Sequence, residues 1–289
     1  MNIRYPARAG SFYESSPTSC RHHARKMLDA VELPEDLTAP VYGGIVPHAG
    51  WMFSGSLACK TLSAVTLGRE VSTFVLLGAD HTGQVSQGEV YDSGVWKTPL
   101  GDVRIDDELA AEILSAADLL RPNPSAHDME HSLEVQVPLI QVLAPEARIV
   151  PIAIPPAALA ADIGKAIGRA VKGRAAEVAI IGSTDLSHHG GHFPAPGGRG
   201  EQGEQYARTQ DQRMIGLMEK MDAEAVVVEA QQHQNACGAG AIAATIAACR
   251  ALGAQEGRLL EYTNSYRIVK KMYGGNDDTT VGYASVVFV

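Results

Sequence analysis

The chain has 289 residues, 45% of them hydrophobic, and a formal net charge of -9. This is apolar material enough for one large α/β domain, and an acidic balance without a long Lys/Arg run argues against a dedicated nucleic-acid surface. With no apolar h-region at the amino terminus, no apolar stretch near about 20 residues and four scattered cysteines (Cys20, Cys59, Cys237 and Cys249) that form no CxxC pair, the expectation is a reduced, cytoplasmic protein with neither membrane nor nucleic-acid partners.

The opening MNIRYPARAGSFYES reads as an extended arm leading into a helix near residues 18–30, with a turn-rich link, ELPEDLTAP, after it. Three windows then share a pattern: VYGGIVPHAG at 41–50, VSTFVLLGADHTG at 71–83 and EVAIIGSTDLSHH at 177–189. Each is a short apolar run, largely β-branched, followed by Gly or Pro and then histidine. Such runs, alternating with helical stretches, predict buried parallel strands. The helical stretches are SGSLACKTLSAV, DDELAAEILSAA, ALAADIGKAIGRAV, the segment around RTQDQRMIGLMEKM, and GAGAIAATIAACRAL, whose small apolar residues suit close packing on the sheet. ARIVPIAI at 147–154 reads as a further core strand, and GRLLEYTNS and TVGYASVVFV as two late strands. GGHFPAPGGRGEQGEQ at 190–205 reads as a loop near the site, and KKMYGGNDDTT at 270–280 as a surface hairpin or loop. No boundary divides the chain, so the prediction is one α/β domain over 1–289 with a central mostly parallel or mixed sheet flanked by helices.

In an open α/β sheet, ligands bind beyond the carboxyl ends of the strands. His48, His81 and His188 all fall at such ends, and imidazole suits zinc, iron, copper or nickel. Asp80 adjoins His81, and Asp185 lies three residues before His188; a carboxylate there orients an imidazole or, for Asp185, caps a helix. In AHDMEHSLEVQVPLI (126–140) a helix would put His127, Glu130, His131 and Glu134 on one face. The spacing is HDxEH rather than the zinc motif HExxH, and His131 is the stronger candidate there. Cys237 precedes a small-residue helix, whose N-terminus would lower a thiol pKa; it is a metal ligand or nucleophile, or else a small buried hydrophobe. Trp51, Phe53 and Trp96 line a substrate cavity or simply pack. No dinucleotide fingerprint, phosphate loop or serine elbow is present, so no nucleotide cofactor is expected.

The pieces YPARAGSFY, PHAGWMFSG, LLGADHTG, WKTPLGDVRID, EHSLEVQVPLI, GSTDLSH, ACGAGAI, YTNS and VGYAS together resemble the MEMO family over nearly the whole length. That family is similar in fold to class III extradiol dioxygenases, which open catechol rings with non-haem Fe(II). The resemblance implies one metal ion, Fe(II) or Cu with Zn as the alternative, held by His48, His81 and Cys237, with Asp185, His188 and His131 as catalytic neighbours. It implies a metal-dependent oxidoreductase with a small-molecule substrate, or a non-catalytic metal-binding or phosphopeptide-binding protein using the same pocket. The carboxylate ligand of the dioxygenases is replaced here by Cys237, a softer donor that favours Zn, Cu(I) or a thiolate-ligated iron.

Overall fold

The computed structural model describes residues 2–38, 40–275 and 277–289. The strands in chain order are β1 (Ile3–Arg4), β2 (Gly43–Val46), β3 (Thr73–Gly78), β4 (Gly88–Val90), β5 (Val95–Thr98), β6 (Gly101–Arg104), β7 (Leu120–Pro122), β8 (Arg148–Ala153), β9 (Val178–Ser183), β10 (His188–Gly190), β11 (Gly257–Asn264) and β12 (Thr279–Phe288). The helices are α1 (Pro17–Asp29), α2 (Trp51–Val65), α3 (Asp107–Ser115), α4 (Val137–Leu143), α5 (Ala160–Val171), α6 (Gly200–Glu219), α7 (Ala223–His233), α8 (Ala239–Leu252) and α9 (Ser265–Tyr273). The predicted α/β class, with its mixed sheet and flanking helices, is what is found.

Among the described residues the main sheet has nine strands, in the order β10-β12-β2-β9-β3-β8-β4-β7, with β11 on β12. Its centre, β2-β9-β3-β8, is parallel. Antiparallel contacts of β12 with β2 and of β4 with β8 close it on either side. All six residues of β3 are buried, because helices cover both faces. Phe74 and Leu76 face one core with α1, α2 and α4, while Val75 and Leu77 face the other with α5 and α8. A small sheet, β1-β5-β6, lies outside this layer order. No helix among the described residues is long and apolar enough to cross a membrane.

Three expectations need correction. Residues 126–140 are not one helix: short 3-10 turns at Pro124–His127 and Glu134–Gln136 are separated by irregular chain. The cause is Arg4, whose guanidinium takes the carbonyls of His127 (2.8 Å) and Glu130 (2.7 Å), acceptors that a continuous helix would use itself. The glycine-rich loop ends earlier than expected, since Gly200 opens α6. Residues 270–273 are the last turn of α9, which Gly274 ends in the left-handed region, φ 69°; Asn276, in the same predicted loop, lies outside the described residues.

Arg4 and Glu134 form a buried ion pair, 2.7 Å apart and each about 1% exposed. Trp96 packs beneath the guanidinium, 4.3 Å from ring centroid to Cζ, so this tryptophan is a packing residue. Glu134 also accepts from Ala7 N (2.8 Å), Arg8 N (2.7 Å) and the Tyr13 hydroxyl (2.8 Å). These bonds and Arg4 hold its carboxyl below the usual range against the opposing effect of burial. Removing one partner of such a pair strands the other charge, which costs roughly 3–5 kcal/mol. Glu134→Gln is therefore expected to lower the unfolding free energy by about that much in urea titration; a loss below about 1 kcal/mol would refute the clamp.

His127 is fully buried, with Nε2–H donating to Glu89 O at 2.9 Å and no partner at Nδ1. Burial pushes its pKa down to about 4. Between the ordinary histidine value near 6.5 and about 4, the unfolded chain therefore takes up a proton that the folded one refuses. Stability falls as pH drops through that window, by about 3 kcal/mol from this residue, and levels off below it. Unfolding curves of wild type and His127→Gln between pH 7 and 4 should differ in slope, the variant being the flatter; parallel curves would rule the assignment out.

Candidate metal centre

The chain leaves β2 through Pro47, whose carbonyl is held by Gln136 Nε2 at 2.7 Å, and reaches His48. His48 is 2% exposed, and its backbone N–H donates to Asp185 Oδ1 at 2.7 Å. Its Nδ1 lies 2.9 Å from Ser183 Oγ, which itself donates to the Ser132 carbonyl at 2.7 Å. Ser183 has spent its proton there, so Nδ1–H of His48 is the donor and Nε2 is bare. Burial, followed by the nearby charge on His81, drives the His48 pKa well below its ordinary value and keeps the ring neutral. The bare Nε2 faces Cys237 Sγ at 3.2 Å.

His81 follows β3 across a turn braced by Asp80, which accepts from the amides of Thr82 (3.0 Å), Gly83 (2.9 Å) and Val85 (2.9 Å). Asp80 therefore shapes the loop, and the partner of His81 is Glu130. The Glu130 carboxylate accepts from His81 N (2.8 Å) and His81 Nδ1 (3.0 Å), and from Ser132 N (2.8 Å). With Nδ1–H committed, Nε2 is the nitrogen left for the thiol. Burial lowers the His81 pKa, but hydrogen bonds to Cys237 and Glu130, together with their charges, outweigh it and carry the value up to about 10. Burial raises the pKa of Glu130, and its bonds to His81 and Ser132 more than reverse this, so it stays ionised.

Cys237 arrives from the other side of the molecule, two residues before α8. Its N–H donates to Asp185 O at 3.2 Å, and Asp185 N points at Sγ from 3.2 Å. The flanking glycines make this approach possible. A Cβ on Gly238 would sit 2.4 Å from Ser183 O, and one on Gly240 would sit 2.3 Å from Pro155 O. Larger residues would push α8 off the strand ends and carry the thiol away.

His48, His81 and Cys237 thus offer donor atoms within 4.8 Å of one another. A second group, His81, Glu130 and His131, meets the same distance test. There, however, the carboxylate is already engaged by two backbone amides and by His81, so it serves as the orienting partner of His81 rather than as a free ligand. The bare nitrogen of His48, the Nε2 of His81 once it gives up its proton, and a thiol fit zinc, copper or iron and do not fit a hard cation such as magnesium.

The other expected residues surround this set. His131 stacks on His81 (4.5 Å between centroids) and meets His48 edge-on (5.5 Å). Burial and the His81 charge bring its pKa down to about 4, leaving it neutral. Asp185 caps no helix, since β10 follows it; it fixes the backbone of His48, and burial raises its pKa to about 7 against the His48 and Ala49 amides. His188 donates Nδ1–H to Leu186 O at 3.0 Å, which leaves Nε2 as a base, and burial lowers its pKa. Phe193 meets the His188 ring edge-on at 5.0 Å. Glu134 is remote from any such role, being spent on Arg4 and the arm. Sequence reading named Glu130 only as one member of a supposed helical face; its position one residue before His131 was the available signal.

The family described as Memo-like protein matches residues 4–287. The chain belongs to the Memo family. MEMO1 family proteins resembling it include one from Thermococcus onnurineus, 37% identical over 99% of each chain. One from Methanothermobacter thermautotrophicus is 34% identical over 98% of this chain and 99% of the relative. One from Caldivirga maquilingensis is 33% identical over 100% of this chain and 99% of the relative. In this Memo chain, the groups that orient the two candidate ligand nitrogens are Ser183 and Glu130. Loss of such partners typically weakens metal binding about 10- to 100-fold. Ser183→Ala and Glu130→Gln should each do so in competition titrations with a chromophoric chelator, while folding to the same far-UV spectrum; unchanged affinity in both would refute the tautomer argument.

Proposed function

We propose that this Memo protein binds one redox-active metal ion, Fe(II) or Cu, through His48 Nε2, His81 Nε2 and Cys237 Sγ, and oxidises a small polar or aromatic substrate beside it. The observation that carries this reading is the convergence of three donors from β2, β3 and the start of α8 within 4.8 Å, with Nδ1–H of both imidazoles engaged elsewhere. A bound ion would supply Lewis acidity and one-electron redox chemistry. The residues supply the rest. His188, neutral and with Nε2 unprotonated, accepts a proton from a substrate hydroxyl. His131 presents a neutral ring on the flank of His81. Asp185 keeps His48 and Cys237 in register, accepting from the amide of one on its side chain and from the amide of the other on its carbonyl.

Metal binding without turnover is the second reading. It is favoured by the thiol of Cys237, a soft donor that suits Cu(I) or Zn better than it suits a reversible oxygen chemistry at iron. The two readings separate in one experiment. The chain is reconstituted with Fe(II) under anaerobic conditions and exposed to oxygen with a panel of catechols, and oxygen uptake is recorded. Uptake that disappears in His188→Gln with metal retained supports catalysis. Fully iron-loaded protein that takes up no oxygen with any substrate refutes it and leaves the metal-binding reading. In both readings Cys237→Ser should lower affinity for Cu(I), and a variant with undiminished affinity would sink the ligand assignment itself.

A further inference from the structure

Near the candidate metal centre stands a guanidinium that no carboxylate pairs with among the described residues. Arg8 belongs to the amino-terminal arm, and its backbone is fixed: N–H donates to Glu134 Oε1 at 2.7 Å, and the carbonyl accepts from Ser11 Oγ at 2.9 Å and Phe12 N at 3.0 Å. Its Cζ lies 5.4 Å from the centroid of Phe12. The same phenyl ring meets His131 edge-on at 5.2 Å, and His131 stacks on His81. The positive charge of Arg8 is among those that keep His131 neutral. Arg8 is thus separated from the His81 imidazole by two rings in contact, Phe12 and His131.

Its Nε is buried and has no hydrogen-bond partner, and among the described residues no carboxylate pairs with the guanidinium. Arg4, four residues earlier, shows what a buried guanidinium ordinarily receives: a carboxylate and two carbonyls. The acidic groups nearest Arg8 are already committed, Glu134 to Arg4 and the arm amides, Glu130 to His81 and Ser132. A partly desolvated donor without an acceptor is costly, and a planar guanidinium fork matches the paired oxygens of a carboxylate or phosphate. Among the described residues no side chain supplies the anion that such a fork would match.

We propose that Arg8 receives an anionic substituent, a carboxylate or a phosphate, of the ligand whose other end reaches the His48–His81–Cys237 centre. The ligand class is a planar ring that bears an acid group. This inference rests on reading the centre as a small-molecule site, and it names which small molecules.

Binding, not turnover, tests it. The Fe(II)-loaded full chain is titrated anaerobically by calorimetry with catechol, 3,4-dihydroxybenzoate and phenyl phosphate. Wild type should bind at least one of the two anionic probes about 10- to 100-fold more tightly than catechol, the size of a charge-assisted hydrogen bond; which of them it prefers separates carboxylate from phosphate. Arg8→Gln should erase that preference and leave catechol affinity unchanged. Arg8→Lys, which keeps the charge without the fork, should restore part of it. The side chain makes no hydrogen bond among the described residues, so the thermal midpoint of Arg8→Gln should match wild type; if that variant does not fold, the partial loss in Arg8→Lys is read in its place. Equal affinities in wild type, no binding of either anionic probe, or a preference that survives in Arg8→Gln would each overturn the proposal. An Arg8-dependent preference in a protein that consumes no oxygen would refute the oxidoreductase reading alone. Oxygen uptake with equal affinities would refute the Arg8 assignment alone.

Discussion

The buried pair between Arg4 and Glu134 is the constraint on which the site depends. As a source of net stability such a pair is poor, because taking two charges out of water costs about what their attraction returns. What it secures is geometry. Arg4 takes the carbonyls of His127 and Glu130, and Glu134 takes the amides of Ala7 and Arg8, so the arm and the 124–136 loop define each other. That loop carries Glu130 and His131, and the arm carries Arg8 and Phe12. Tyr13 closes the unit from the far end by donating to Glu134, while Trp51, packed on Tyr13, ties the arm to the start of α2. Without the clamp the strand ends would still deliver His48 and His81, but the carboxylate that orients His81 would have no fixed place.

What could be read in the sequence follows the same division. His48 and His81 were legible because a parallel strand buried on both faces is a dense apolar run, and the residues just after it lie at the carboxyl edge of the sheet where ligands bind. The small-residue helix after Cys237 was legible from composition, and its glycines prove to be the positions where α8 presses on Ser183 and Pro155. The loop at 126–140 was misread because its charges recur at helical spacing. Periodicity cannot reveal that a guanidinium more than 120 residues away in the chain takes its carbonyls. The same blindness hid the partner of His81: adjacency suggested Asp80, yet an aspartate two residues before an amide folds back on its own turn, and the orienting carboxylate came from Glu130.

The two histidines reach the same end by different means. His48 is 2% exposed and neutral, its tautomer set by a hydroxyl whose own proton is already placed on a carbonyl. His81 keeps about a third of its side chain exposed and is held as a cation between a carboxylate and a thiol. Before metal binds, that proton occupies the position between His81 and Cys237 that a metal would take. Metal binding here would release that proton together with the thiol's, at the exposed edge of the donor set, where a proton and an incoming ion can exchange with water. His48, buried, neutral and with its tautomer already set, would need no change of protonation. Arg8 completes the asymmetry. On the inner side Ser183 and Asp185 answer His48 within the chain, whereas at the edge, beyond His81 and His131, no carboxylate among the described residues pairs with Arg8.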